Sequence, residues 1–345
     1  MISAERQKTN PSYILVFSAM PSSILHPPSS HILVTGGAGF IGSHLVERLL
    51  TDGKSVVVID DCSTGTLQNL AAARANPKLK IVVGKISECA ELLQIVAGAE
   101  AIFHLAAAVG VELVVKSPIH VLETNVRETE VLVKAAAQHC VPTLLASTSE
   151  VYGKSQKEGF AEDDDLLIGS PTQSRWSYAC SKLMDEFLAL AYAKEKNLPV
   201  VITRLFNTVG PRQTGRYGMV LPRFIAAAKR NDPLKVFGDG KQTRCFCFVR
   251  DTVEALVRLQ NCPAARGEIF NVGGTEEICI TDLAKLVIGT LGSKSEIEFV
   301  SYDDAYLPGF EDMRRRKPVI EKLVRTTGFR PETTLREIIR LTANL

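Results

Sequence analysis

The sequence predicts an α/β fold, a doubly wound parallel sheet, and three observations carry that reading. Short apolar runs suited to buried strands alternate with amphipathic stretches suited to helices from His31 onward. The first run is followed at once by glycines spaced G-x-x-G-x-x-G, and the second ends on a pair of aspartates. In such a sheet ligands meet the carboxyl ends of the strands, so polar residues at strand ends carry the functional reading.

His31 to Thr35 is the first strand, and the turn from Gly36 to Gly42 leads into a helix reaching about Leu50. Gly36, Gly39 and Gly42 permit a tight turn, a close backbone approach to a pyrophosphate and a helix N-terminus that receives its charge. Phe40 and Ile41 belong to the same turn and count among its cofactor contacts. The next run, Ser55 to Ile59, ends at Asp60, where a carboxylate accepts hydrogen bonds from the adenosine ribose hydroxyls and repels a 2′-phosphate. That favours NAD over NADP. Strands follow at about Lys80 to Gly84 and Ala101 to His104, with a helix near Glu88 to Val96 between them. Small residues after the later strand, Leu105, Ala106 and Ala107, let a cofactor lie against the backbone.

A long helical pattern from Pro118 to about Cys140 precedes an apolar strand, Val141 to Ala146, that ends in STSEVYG. Thr148, Ser149 and Glu150 therefore leave the sheet on the ligand side. After an acidic loop (154 to 174) comes an amphipathic helix in which Tyr178 and Lys182 are four residues apart on one face. An ammonium near the phenol favours phenolate and makes Tyr178 an acid/base candidate. The spacing alone also fits an ordinary helical Tyr and Lys pair.

Composition narrows the classes. Hydrophobic residues at 46% and charged residues at 23% suit a soluble globular chain of 345 residues, long enough for a large α/β domain with a second lobe. A net charge of +2, with no basic stripe, gives no reason for a nucleic-acid partner. The eight cysteines form no C-x-x-C and the six histidines no H-x-x-x-H, so no metal site is expected. Cys245 and Cys247 share one face of an expected strand, but no further ligand completes a set. Residues 1 to 30 are expected to be a disordered tail or a misassigned start, and the apolar patch from Tyr13 to Met20 is too short to span a bilayer. A cytoplasmic protein with reduced thiols and no membrane partner is the expectation.

Taken together, TGGAGFIG (35 to 42), HLAA (104 to 107), STSEVYG (147 to 153) and Y-x-x-x-K (178 to 182) resemble the extended short-chain dehydrogenase/reductases that modify nucleotide sugars. RLFNTVGPR (204 to 212), GDGKQTRCFCFVRD (238 to 251) and FNVGG (270 to 274) agree with that resemblance. It implies a Rossmann domain at 31–205 and a smaller C-terminal α/β lobe, 206–242 with 261–345, that closes over a nucleoside diphosphate sugar. It also implies that 243–260 returns to the first domain, as strand Arg244 to Phe248 and helix Asp251 to Leu259. A homodimer through the helix after Pro118 and the Tyr178 helix is implied as well. In this family pattern Tyr178 takes the proton of the sugar 4-hydroxyl, Lys182 tunes it and holds the nicotinamide ribose, and Thr148 bonds the reacting oxygen. Asn207 and Arg244 match positions that bind the nucleotide diphosphate, and Arg212 counts with them as a substrate-binding residue. One departure is Lys85, where the family commonly has an Asp that contacts adenine.

The resulting 4-keto sugar has three fates. A 4,6-dehydratase needs an acid and a base after the threonine, and Ser149 is a poor acid for that step. A decarboxylase exploits the fact that a C4 ketone turns a uronic acid into a β-keto acid; T-S-E resembles the UDP-glucuronate decarboxylases, and Arg316, before Lys317 and Pro318, matches the arginine that meets the sugar acid. A 4-epimerase needs only the shared machinery and stays open as the alternative. Decarboxylation of UDP-glucuronate to UDP-xylose is preferred on Glu150 and Arg316. A protein that binds NAD without catalysis is the remaining class, which the intact Thr148, Tyr178 and Lys182 disfavour.

Overall fold

A computed structural model describes residues 30–214, 219–301 and 313–344. The expected tail at 1–29 and part of the basic segment, 310–312, lie outside them. Seven parallel strands make the central sheet: β1 (His31–Thr35), β2 (Val56–Asp60), β3 (Leu79–Val83), β4 (Ala99–His104), β5 (Thr143–Thr148), β6 (Val200–Leu205) and β11 (Glu268–Val272). Their order is β11-β6-β5-β4-β1-β2-β3. The chain winds outward from β1 through β2 and β3, then returns to place β4 on the other side of β1. Connections therefore part in opposite directions above β1 and β4, which opens a crevice at the carboxyl ends of those strands.

Helices cover both faces. α1 (Phe40–Thr51) and α7 (Val249–Gln260) lie on one face, while α2 (Leu92–Ala97), α4 (Pro118–Gln138) and α5 (Trp176–Lys196) lie on the other; α3 (Val111–Lys116) precedes α4. Alternate residues of β1 divide between the layers: Ile32 and Val34 pack with Leu45 and Leu256, and Leu33 packs with Leu132 and Ala189. A strand buried on both faces reads as a continuous apolar run, which is why HILVT carries no polar alternation.

The C-terminal lobe has a core of its own. It contains α6 (Val220–Arg230), α8 (Ile280–Leu291) and α10 (Leu335–Thr342), with β8 (Leu234–Phe237) paired to β13 (Ile297–Val300). The segment 244–248 does not extend the sheet. It divides at Phe246 into β9 (Thr243–Cys245), antiparallel to β12 (Glu277–Cys279), and β10 (Cys247–Phe248), parallel to β7 (Thr208–Val209). Nor does the whole of 261–345 sit apart from the first layer. Phe270 and Val272 of β11 are buried with Val201 and Leu256, so β11 is the seventh strand of the sheet, and α9 (Glu321–Thr327) packs on β11 and α7.

His104 ends β4 and is structural. Its Nδ1 and Nε2 meet the hydroxyls of Thr35 and Thr129 at 2.7 and 2.9 Å, and burial pushes its pKa down to about 3. A histidine depressed in the fold binds its proton only when unfolded between about pH 3 and 6.5, so its contribution is present above that window and is lost as pH falls through it. His104→Asn is accordingly expected to shallow the acid limb of stability by about 1.4 kcal/mol per pH unit below pH ~6. Denaturant unfolding at pH 7 and pH 5 checks this, and identical slopes in both proteins would contradict it.

Candidate active site

The crevice is a cavity of about 660 Å³ between the sheet and the lobe. Every residue given a catalytic, cofactor or substrate role from the sequence lines it except Lys182. On the cofactor side the glycine turn is sterically fixed. Gly36 has φ +73°, and a Cβ there would stand 2.6 Å from the Ala106 nitrogen; one on Gly42 would stand 2.0 Å from the Gly36 oxygen. Gly39 caps α1 with no side chain on the helix N–H groups, which leaves a helix N-terminus suited to phosphate. Asp60 receives the Ala38 and Cys62 N–H groups, each at 2.8 Å, and burial raises its carboxyl above the usual range. Its carboxylate still lines the cavity, with lone pairs left for a ribose. Lys85 lines the cavity too, its ammonium 3.6 Å from Glu88. The fit to a dinucleotide thus rests on a cradle that any Cβ would fill.

At the carboxyl end of β5, Thr148 is the last strand residue and caps the single 3-10 turn Ser149–Tyr152. Its hydroxyl lies by the Tyr178 phenol from α5, where it favours the phenolate. The Ser149 Oγ is buried in the cavity wall with no hydrogen-bond partner among the described residues. Glu150 Oε1 stands 3.6 Å from Arg316 Nη1, so two segments remote in sequence meet beside Tyr178.

The expected tuning of Tyr178 by Lys182 is not what the geometry gives. Lys182 is buried behind the cavity with its ammonium 2.8 Å from Asp185, whose charge offsets it. Burial first, and then the charges of Glu150 and Asp185, hold the Tyr178 phenol above its ordinary range. At rest it is protonated.

The lobe supplies cations. Arg244 lines the cavity, as do Arg223, whose guanidinium lies 4.3 Å from the Phe237 ring, and Lys235. Arg212 also lines it, but its guanidinium reaches Glu47 at 2.5 Å and Ser43 at 3.2 Å and ties the lobe to α1. Asn207 donates to the Cys245 carbonyl at 2.9 Å. Cys245 and Cys247 are buried thiols pushed up to about 12 by burial, and no metal-ligand cluster occurs among the described residues. Sequence reasoning missed Arg175, Arg223 and Lys235. Arg175 was visible as a cation one turn before Tyr178, and it is buried against the cavity with Glu150 and Tyr178. Lys235 was visible only in the alternation of LKVF, which puts it on the Phe237 face.

Fold and site together define an extended short-chain dehydrogenase/reductase. The chain belongs to the GDP-mannose 4,6 dehydratase family, whose model matches residues 33–342. Among curated relatives it is 40% identical to the UDP-N-acetyl-alpha-D-glucosaminuronate decarboxylase of Bacillus cytotoxicus, over 88% of this chain and 93% of that one. It is 36% identical to UDP-glucuronic acid decarboxylase 2 of Arabidopsis thaliana, over 89% of this chain and 66% of that longer one. Among solved structures, the UDP-glucuronic acid 4-epimerase of Bacillus cereus, in complex with UDP-glucuronic acid and NAD, superposes with a TM-score of 0.81 at 28% identity. That match covers 91% of this chain and 98% of the epimerase. No helix among the described residues is long and apolar enough to cross a membrane.

Proposed function

We propose that this protein decarboxylates a UDP-linked hexuronic acid with NAD as cofactor, UDP-glucuronate to UDP-xylose in the simplest case. The observation that carries the reading is the Glu150 and Arg316 pair beside Tyr178, a carboxylate and a guanidinium that oxidation and reduction at C4 do not require. Gly36, Gly39 and Gly42 would hold the pyrophosphate of NAD, Asp60 the adenosine ribose, and Leu105, Ala106 and Ala107 would lie along the dinucleotide. The chemistry that NAD supplies when bound is reversible acceptance of the C4 hydride.

Once its phenol has released its own proton to solvent, Tyr178 takes the O4 proton beside the Thr148 hydroxyl, and a C4 ketone results. Arg316 meets the C6 carboxylate, now β to that ketone, and the orphaned Ser149 hydroxyl can bond to it. The C5–C6 bond then breaks, its electron pair enters the C5–C4–O4 enolate, and carbon dioxide departs. A proton drawn from solvent is passed to C5 by Glu150, which restores the C4 ketone. Tyr178 finally returns its proton to O4 as C4 is reduced, so the sequence is redox-neutral. Arg223, Lys235 and Arg244 supply positive charge for the diphosphate. Nothing in this chemistry touches C2, so an N-acetyl hexuronate, the substrate class in the name of the Bacillus cytotoxicus relative, is the second substrate to try.

Incubation of the purified protein with UDP-glucuronate and with its N-acetyl counterpart, followed by mass spectrometry, decides the reading. Loss of the carboxyl as carbon dioxide is expected from at least one. A stereoisomer of unchanged mass favours 4-epimerisation instead, the reading that the Bacillus cereus neighbour supports. We further propose a cytoplasmic homodimer. Eight free cysteines support the compartment, and exposed Ile119, Leu122, Met184 and Phe187 on α4 and α5 support the pairing. A one-chain mass in sedimentation would count against the dimer.

A further inference from the structure

Neither member of the Glu150 and Arg316 pair stands on a long rigid element. Glu150 is in a one-turn helix, and Arg316 lies in an irregular segment before α9. The Arg316 segment is anchored to the lobe by Arg315 on Glu277 at 2.7 Å and by the Thr243 N–H on the Arg314 carbonyl at 2.9 Å, and a buried amide links it to the Glu150 segment. Asn271, fully buried on β11, accepts the Tyr152 hydroxyl on Oδ1 at 2.7 Å. Its Nδ2 donates to the carbonyls of Phe160 at 2.8 Å and Val319 at 3.1 Å. Tyr152 comes two residues after Glu150, and Val319 three after Arg316.

The ties around this amide run the same way. Phe160 pairs with the Arg316 segment, its N–H to the Lys317 carbonyl and its carbonyl to the Val319 N–H, each at 2.9 Å. Its ring stacks on Tyr152 with centroids 4.8 Å apart, and the Arg204 guanidinium lies over the other ring at 4.8 Å. Glu162, two residues on, accepts the Asn271 N–H at 2.8 Å. By contrast Thr148 is fixed by its pairing with Leu205 in the sheet, and Tyr178 by α5 packed on α4.

We propose that Asn271 is a positioning residue that sets the geometry between Glu150 and Arg316, with Tyr152 as its arm to the first and the Val319 carbonyl as its arm to the second. The proposal rests on the decarboxylase reading and assigns the hub to the carbon dioxide step, not to C4 oxidation. A small misplacement of reacting groups costs one to two powers of ten in rate, whereas the oxidising set is anchored elsewhere.

Tyr152→Phe removes one hydroxyl and keeps the stacked ring, and Asn271→Ala removes the hub. Single-turnover mixing of NAD-loaded protein with UDP-glucuronate follows C4 oxidation by nicotinamide absorbance and the second half by trapped carbon dioxide. For both variants we expect oxidation within about threefold of the parent protein, carbon dioxide release about tenfold slower or more, and accumulation of the 4-keto sugar. The double variant should cost little beyond Asn271→Ala alone, because the two groups act as one unit. Equal slowing of both half-reactions, as a merely structural role would give, overturns the proposal, and so does unchanged carbon dioxide release. If Asn271→Ala fails to fold, Tyr152→Phe decides alone. If the parent protein releases no carbon dioxide from either hexuronate, the decarboxylase reading has failed and takes this proposal with it; if it does and Tyr152→Phe matches it, only the positioning role has failed.

Discussion

Tyr178→Phe is expected to lower turnover by about 10³-fold or more while leaving NAD bound. The ring is held by Ala108, Val114 and Val121, and Phe preserves that packing. What disappears, on the proposed mechanism, is the atom that exchanges a proton with the sugar O4 beside the Thr148 hydroxyl. Burial and the Glu150 charge keep that phenol protonated at rest, so loss of the hydroxyl removes a proton donor and an acceptor at once. The glycine turn and Asp60, on other elements, are untouched. Steady-state rates and the bound dinucleotide measured on the same preparation check the result. Turnover within tenfold of the parent protein would remove Tyr178 from the chemistry under either reading.

The parts of this site that were legible in the sequence are those with local causes. Gly36 and Gly42 could be read because their roles depend on a turn a few residues long, and Thr148 because a strand must end where its apolar run ends. Lys182 shows where local reading stops. Its spacing from Tyr178 says nothing of Asp185, three residues further on the same helix, which lies 2.8 Å from the ammonium in the buried interior and offsets its charge. The seventh strand was missed for a related reason. β11 follows the returning helix in sequence and so reads as part of the lobe, and only its pairing with β6 and the burial of Phe270 and Val272 place it in the sheet. Arg316 was found through resemblance, yet its distance to Glu150 belongs to the fold, since nearly half the chain lies between the two.

Glu150→Gln separates the two halves of the reaction with opposite signs. The charge of Glu150 is the largest cause after burial that holds the Tyr178 phenol up, so its replacement by a neutral amide of similar shape should ease proton loss from Tyr178. C4 oxidation is therefore expected to proceed no more slowly than in the parent protein. The second half should slow by about 10²-fold, because the amide neither exchanges a proton with C5 nor holds Arg316 by charge. The 4-keto sugar accumulates as a result, and trapped carbon dioxide lags behind nicotinamide reduction. A 4-epimerase has no use for the lost carboxylate, so under that reading the variant should turn over as fast as its parent or faster. Undiminished carbon dioxide release would take Glu150 out of the decarboxylation and leave Arg316 as the only charged group specific to it.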